Sequence, residues 1–293
     1  MQEIIHALLI IMGFGVVFIS LMWWENRVLI RQGKDAYDVR ETLANMMSSV
    51  LYKSTDAVYI ILFVGALATW VQHHGLQMNI QYHWWTYVLI FIFQDFCFWL
   101  FHVVAHKMRF AWVSHKIHHS SNHFNFGVAL RQSVLAPIPL FGIGFIVWAP
   151  FAFLGVDFRV VALLYELNLF YQFFIHTRAV ERLPKWFELI VNTPSHHRVH
   201  HGCGEKQIDC NYAGVFIVWD RLFGTFVDER DAGEIIYGVK SRPVRTNNVL
   251  VMIFEELADL LKTMWRNKDI RYLWHHPDWS PTEAARALKA VKK

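Results

Sequence analysis

Asp95-Phe-Cys-Phe-Trp-Leu-Phe-His102-Val-Val-Ala-His106, followed by His115-Lys-Ile-His118-His119, is the stretch that decides the fold. An apolar run of helical length opens into five histidines. At about 100° per residue, His102 and His106 fall about 40° apart, one turn apart on a single helix face. His115, His118 and His119 follow the same logic at i, i+3 and i+4. A lone histidine on an apolar face reads as a hydrogen-bonded core residue. Five at this spacing read as metal ligands, because neutral imidazole is the commonest metal-binding side chain.

The pattern recurs downstream. His197-Arg-Val-His200-His201 repeats the His-x-x-His-His spacing, and Gln172-x-x-x-His176 repeats the i, i+4 spacing with Gln in front. Thr193 as N-cap, Pro194 at the first helical position and Gly202 after the last histidine mark a short helix around the second cluster. Three segments thus offer His102, His106, His115, His118, His119, His176, His197, His200 and His201. One tetrahedral ion takes four ligands, so the set points to two metals. Imidazole shells suit Zn, Cu, Fe or Ni, and ligand type does not choose among them.

Composition places this site in a membrane protein. Of 293 residues 55% are hydrophobic, 16% aromatic and only 18% charged, against about 25% charged in an ordinary globular domain. The net charge of +4 is small, with basic residues in loops, which excludes a nucleic-acid partner. Three cysteines (Cys97, Cys203, Cys210) form neither a disulfide framework nor a C-x-x-C metal site. The first apolar run has no positive leader and no small-residue cleavage site, so it is expected to remain as a span.

Spans are expected at Ile4 to Trp24, Ala57 to Val71 and Trp84 to Ala105, with a hairpin from Val134 to Leu154 and from Phe158 to Ile175. Arg27, Arg31, Lys34, Arg40 and Lys53 fill the polar segment 25–53, and Lys107, Arg109 and Lys116 follow the third span. The link 72–83 has neither Lys nor Arg. The positive-inside rule then puts the histidines on the cytosolic side. Residues 249–265 read as an amphipathic helix on the membrane surface or against the core. The expected fold is all-α. It is a polytopic bundle of about four to five membrane helices under a cytosolic helical cap, in one domain: 1–83 N-terminal membrane helices, 84–226 catalytic core, 227–293 C-terminal surface helices. The multi-pass location is a bacterial inner membrane or the endoplasmic reticulum.

The ordered motifs His102-x3-His106, His115-x2-His118-His119, Gln172-x3-His176 and His197-x2-His200-His201 resemble the fatty acid hydroxylase / sterol desaturase superfamily of integral-membrane di-iron enzymes. Likeness to its alkylglycerol monooxygenase branch lies in three stretches: the one from His118 through Asn125 and Arg131 to Ser133, Tyr171 to Thr177, and Asn192 to Gly202. Residues 208–214 and 219–225 continue it. Gln172 stands where several sterol- and sphingolipid-acting relatives have histidine, and His123 where ether-lipid members commonly look acidic. The chain looks compact beside animal members.

The resemblance implies two irons held by the nine histidines, dioxygen, and oxidation of an unactivated C–H bond on a lipid. Ether-lipid or acyl/alkyl-chain hydroxylation comes first; sterol C-5 desaturation and C-4 methyl oxidation are alternatives. The electron donor is expected to be external: tetrahydrobiopterin, a cytochrome b5-type chain or a ferredoxin-type chain. Candidates for supporting the ligands are Asp95, Gln172, His196 and Asp220. Asp95 and Glu166 sit in apolar spans, where an ionisable group usually faces the protein interior. Asp95 is equally readable as a helix-packing residue, and Asp220 as a turn former. Asn125 and Arg131 are candidates for a lipid-head entrance; a solvated face explains Arg131 equally well. His275 and His276 read as ordinary loop residues. A zinc protease would need Glu inside the His pair, where Val-Val-Ala and Lys-Ile stand. A metal transporter would place ligands near the bilayer midplane, and a b-type haem needs fewer histidines.

Overall fold

The computed structural model describes residues 2–281 apart from 36, 60, 61, 63, 64, 77, 139–144 and 245. In chain order the described helices are α1 (Gln2–Arg31), α2 (Val39–Tyr59), α3 (Gly65–His74), α4 (Trp84–Lys107), α5 (Arg109–His119), α6 (Phe126–Ala129), α7 (Phe145–Leu154), α8 (Phe158–Ile175), α9 (Lys185–Glu188), α10 (Pro194–His200), α11 (Val218–Phe223) and α12 (Val249–Asn267). A 3-10 turn, Ile270–Leu273, follows. Among the described residues no strand occurs, only an isolated bridge between Gly202 and Tyr237.

Two of the described helices, α4 and α8, are long and apolar enough to cross a bilayer. They pack on one another and deliver histidines at the same end: His102 and His106 in the last turns of α4, His176 just past α8. On α4 the buried face carries Gln94, Asp95, Phe98, His102 and His106, while Val88, Leu89, Phe93 and Leu100 point outward. The polar groups therefore occupy the inner face of an otherwise greasy helix, as burial costs require.

Several expectations change in detail. The polar segment 25–53 is mostly helix rather than a loop: α1 runs on to Arg31, and α2 passes through Lys53 to Tyr59. The expected Ala57 to Val71 span is divided between the end of α2 and α3, with residues 60, 61, 63 and 64 outside the described part. The first hairpin arm starts in turns at 134–137, and the ten-residue α7 keeps Pro150 inside it; residues 139–144 are not described. The arm packs on α3, where Leu76 donates its N–H to Phe153 O at 2.8 Å.

Over the histidine end lies α12. Met252, Ile253, Glu256 and Leu260 face α5 and its surroundings, whereas Leu250, Phe254, Leu261 and Trp265 form an outward apolar stripe. Salt bridges fix this contact. Arg109 at the start of α5 meets Glu256 at 2.9 Å and Asp259 at 2.6 Å, and Lys116 meets Glu255 at 2.6 Å. Arg131 closes the other end of α5 by donating to Ile117 O and Ser120 Oγ, and also reaches Asn45 on α2. It is buried, and so is Asn125, which caps α6 through Gly127 N. Neither lines a lipid-head entrance.

Candidate metal centre

Four segments bring their imidazoles to one place. Helix α4 supplies His102 and His106, α5 supplies His115, His118 and His119, the end of α8 supplies His176, and α10 with its C-cap supplies His197, His200 and His201. Thr193 and Pro194 do start α10, so His197, His200 and His201 lie along a little more than one turn. The nine side chains sort into two groups: His102, His106, His115, His119 and His200, and His118, His176, His197 and His201. Within each group the ring nitrogens that face one another lie within 4.8 Å. The groups adjoin where the His119 and His201 rings stack, with centroids 4.3 Å apart.

Outward nitrogens show which lone pairs face inward. His102 Nδ1 is 2.7 Å from Tyr212 O, His200 Nδ1 2.8 Å from Cys210 O, His176 Nδ1 2.6 Å from Gln172 O and His118 Nδ1 3.3 Å from Arg131 O. A carbonyl only accepts, so each of these Nδ1 atoms carries the proton and each Nε2 is bare. Yet the bare Nε2 atoms of His176 and His118 lie 3.1 Å apart. Two lone pairs facing each other in a buried site repel unless a cation shares them. Two nitrogens each about 2.1 Å from one ion, at about a right angle, lie about 3 Å apart. His102 Nε2 and His115 Nε2 are 2.9 Å apart, and His197 Nε2 and His176 Nε2 likewise 2.9 Å. His106, His200 and His201 have buried Nε2 atoms without any hydrogen-bond partner. The donor set fits metal ions.

Burial keeps these rings neutral. It pushes His115, His118, His119, His197, His200 and His201 well below the usual histidine range, with neighbouring imidazoles adding to the effect for each, and it takes His176 down to about 3. Neutral imidazole is the ligating form.

The fatty acid hydroxylase family model matches residues 87–225. That region runs from the first turns of α4 past α11, and it contains all nine histidines. The chain is similar to the alkylglycerol monooxygenase of Danio rerio, 40% identical over 201 residues, 67% of this chain and 43% of that protein. It is 35% identical over 273 residues to the alkylglycerol monooxygenase of Homo sapiens, 90% of this chain and 58% of that protein. Ornithine lipid hydroxylase OlsE of Rhizobium tropici is 26% identical over 245 residues, 74% of this chain and 67% of that protein. The chain spans about half the length of the alkylglycerol monooxygenases it matches. No solved structure matches.

Within the matched region the expected supporting residues separate. Asp95 touches none of the nine histidines. It accepts from Val215 N, Phe216 N, Trp219 Nε1 and Asn168 Nδ2, and so ties the 214–219 segment to α4 and α8. Gly214 lies so close that a Cβ there would sit 2.9 Å from Asp95 Oδ1 and 2.8 Å from Asn168 Oδ1. Gln172 supports His176 through its backbone carbonyl, while its side chain turns to Asn168 at 2.6 Å. Asp220 acts one bond further out. It accepts from Tyr212 N at 2.9 Å, and Tyr212 O then receives His102. His196 lies outside both groups, edge-on to Phe226, with both ring nitrogens unpartnered. Glu166 does not face the interior; it is exposed and pairs with Lys53 at 2.9 Å.

Other residues carry more than their sequence context announces. Arg198 sits between two ligand candidates and donates to Thr177 O, Val180 O and Glu229, clamping α10 to the turn that bears His176. The Glu25 carboxylate accepts from Tyr37, Thr177 and Phe126 N, anchoring the same turn to α1. His123 pairs with Glu41, which also holds Arg131. In the strap 209–212, Asp209 and Asn211 both adopt left-handed φ, 63° and 53°. Asp and Asn tolerate this better than most residues, and the strap reaches His106 through the Asp209 side chain, His200 through Cys210 O and His102 through Tyr212 O. His276 reaches Asp209 at 3.1 Å, so it is not an ordinary loop residue. The i, i+4 spacings revealed the ligand candidates; none of these partners had a local pattern to reveal it.

Proposed function

We propose that the chain is a multi-pass membrane enzyme with two irons, one in each histidine group, that uses dioxygen to hydroxylate a C–H bond of a lipid. An ether lipid of the alkylglycerol kind is the first substrate class. Likeness to alkylglycerol monooxygenases over most of the chain supports that choice. The likeness to an ornithine lipid hydroxylase supports hydroxylation of another membrane lipid as the second reading. The observation that carries the proposal is the facing of bare imidazole nitrogens 3.1 Å apart in a buried site.

The five-histidine group would hold one iron and the four-histidine group the other. Bound iron supplies the oxidising power toward an unactivated C–H bond, which no protein side chain has. The chain supplies the rest. Tyr212, Cys210, Arg131 and Gln172 carbonyls keep the rings in the tautomer that turns Nε2 inward. Burial of the rings keeps bulk water from competing for the inward-facing nitrogens. The membrane ends of α4 and α8 bring the site to the depth where a lipid chain stays in the bilayer while its head is hydrated. One oxygen atom enters the product and the other leaves as water, with two electrons from an external donor and two protons from solvent. That donor is a tetrahydrobiopterin, a cytochrome b5-type chain or a ferredoxin-type chain, acting from the cytosolic side.

The test is anaerobic purification, then incubation with alkylglycerols, ornithine lipids, sterols or phospholipids under oxygen with each donor class, and mass spectrometry of the lipids. A product 16 mass units heavier (about one oxygen atom) from an alkylglycerol, or the aldehyde it releases, is expected. Turnover by protein reconstituted with a redox-inactive metal would contradict the proposal.

A further inference from the structure

The surroundings of the two histidine groups carry unequal charge. Among the described residues, one of the nine imidazoles has a carboxylate within ion-pair distance: His106, whose Nδ1 lies 3.7 Å from Asp209 Oδ1. The fixed partners of His102, His200, His118 and His176 are neutral backbone carbonyls. Asp209 is itself paired with Lys107 at 2.8 Å and with His276 at 3.1 Å. Its side chain is 16% exposed, while that of Lys107 is 49% exposed. The carboxylate therefore sits between an imidazole of the five-histidine group and a cation at the surface. Its left-handed backbone holds it in that place.

We infer that the Asp209–Lys107 pair sets the two metal sites at different reduction potentials, the carboxylate lowering that of the five-histidine site. This rests on the two-iron reading above. A negative charge beside a ligand favours the more highly charged, oxidised ion, and the partly buried setting screens it less than water would. The four-histidine group has no carboxylate so close. Electrons from the external donor then settle first on the four-histidine site and reach the five-histidine site last. Lys107 offsets part of the carboxylate's field. Removing Asp209 uncovers a cation beside His106, whereas removing Lys107 uncovers an anion. The two substitutions therefore act with opposite sign on one site.

Full-length protein loaded with 57Fe, titrated anaerobically with dithionite and followed by Mössbauer spectroscopy, tests this. Two one-electron steps are expected in the native protein. Asp209→Asn raises the lower step and narrows the gap, Lys107→Gln lowers it and widens the gap, and the double variant falls between the two single variants with a gap still narrower than the native one. The upper step stays in place throughout. General damage to the fold would not produce opposite shifts that partly offset one another on combination. Shifts of the same sign, equal movement of both steps, or steps indifferent to both substitutions would overturn the inference while leaving two irons in place. A native protein that loads fewer than two irons would overturn the two-iron reading, and the inference with it.

Discussion

At the scale of single residues, the buried imidazoles make a measurable demand on pH. In the folded, metal-free chain burial holds His115, His118, His119, His176, His197, His200 and His201 below the usual histidine range. In the unfolded chain each protonates near its ordinary pKa of about 6.5. Below that pH the unfolded state therefore binds more protons, and stability rises with pH through the interval. The metal-free protein in detergent is expected to lose thermal midpoint steeply between pH 7.5 and pH 5.5 (values on the order of the imidazole range). A flat profile would mean that the rings are hydrated. A second residue-scale case is Gly214→Ala. Its added Cβ meets Asp95, Asn168 and Phe98 within 3 Å, and overpacking of this kind costs about 1–3 kcal/mol. A lowered unfolding midpoint with the site's metal still bound is the expected result, because Asp95 holds the 214–219 segment rather than a histidine.

At the scale of elements, α12 braces the helix that carries three of the histidines. Arg109 and Glu256 are both 2% exposed in their side chains, and removing Glu256 leaves the buried Arg109 with only the half-exposed Asp259 as a partner. Glu256→Ala is expected to destabilise by about 3 kcal/mol, read as a loss of thermal midpoint and faster release of metal from the α5 histidines. Arg198 plays the same part for α10, and Arg198→Gln strips its ties to Glu229 and to the Val180 carbonyl. The expected effect, about 2 kcal/mol or more, should be accompanied by weaker metal retention at His176 and His197. Unchanged retention would show that α10 is held by its ligands alone.

What the sequence disclosed follows from these same elements. His102 with His106 and His118 with His119 were legible because a helix converts spacing into direction, and α4 was legible because its apolar run is unbroken. Thr193 and Pro194 announced α10. The extension of α2 through residues 39–59 was hidden by Lys53, Asp56 and Glu41, which break any apolar run although the helix still presents Val39, Leu43, Met47 and Val50 outward. Asp95 could be seen as a candidate but not assigned, and Asp209 and Arg198 drew no reading at all. Their partners at Val215, Lys107 and Val180 are joined to them by the fold and not by any local period. Glu166 was misread because the rule that membrane charges face inward does not foresee a surface cation such as Lys53 on the next helix.

At the scale of the whole molecule, one claim supports the rest: four segments from across the chain close around two metal ions. Metal content per chain, measured on protein purified anaerobically from iron-supplemented cells, tests it most directly. Two ions are expected in the native protein, and about one in each of His200→Ala and His118→Ala, which break the five- and four-histidine groups separately. A native protein that holds one ion or none, or variants that both keep two, would contradict the account.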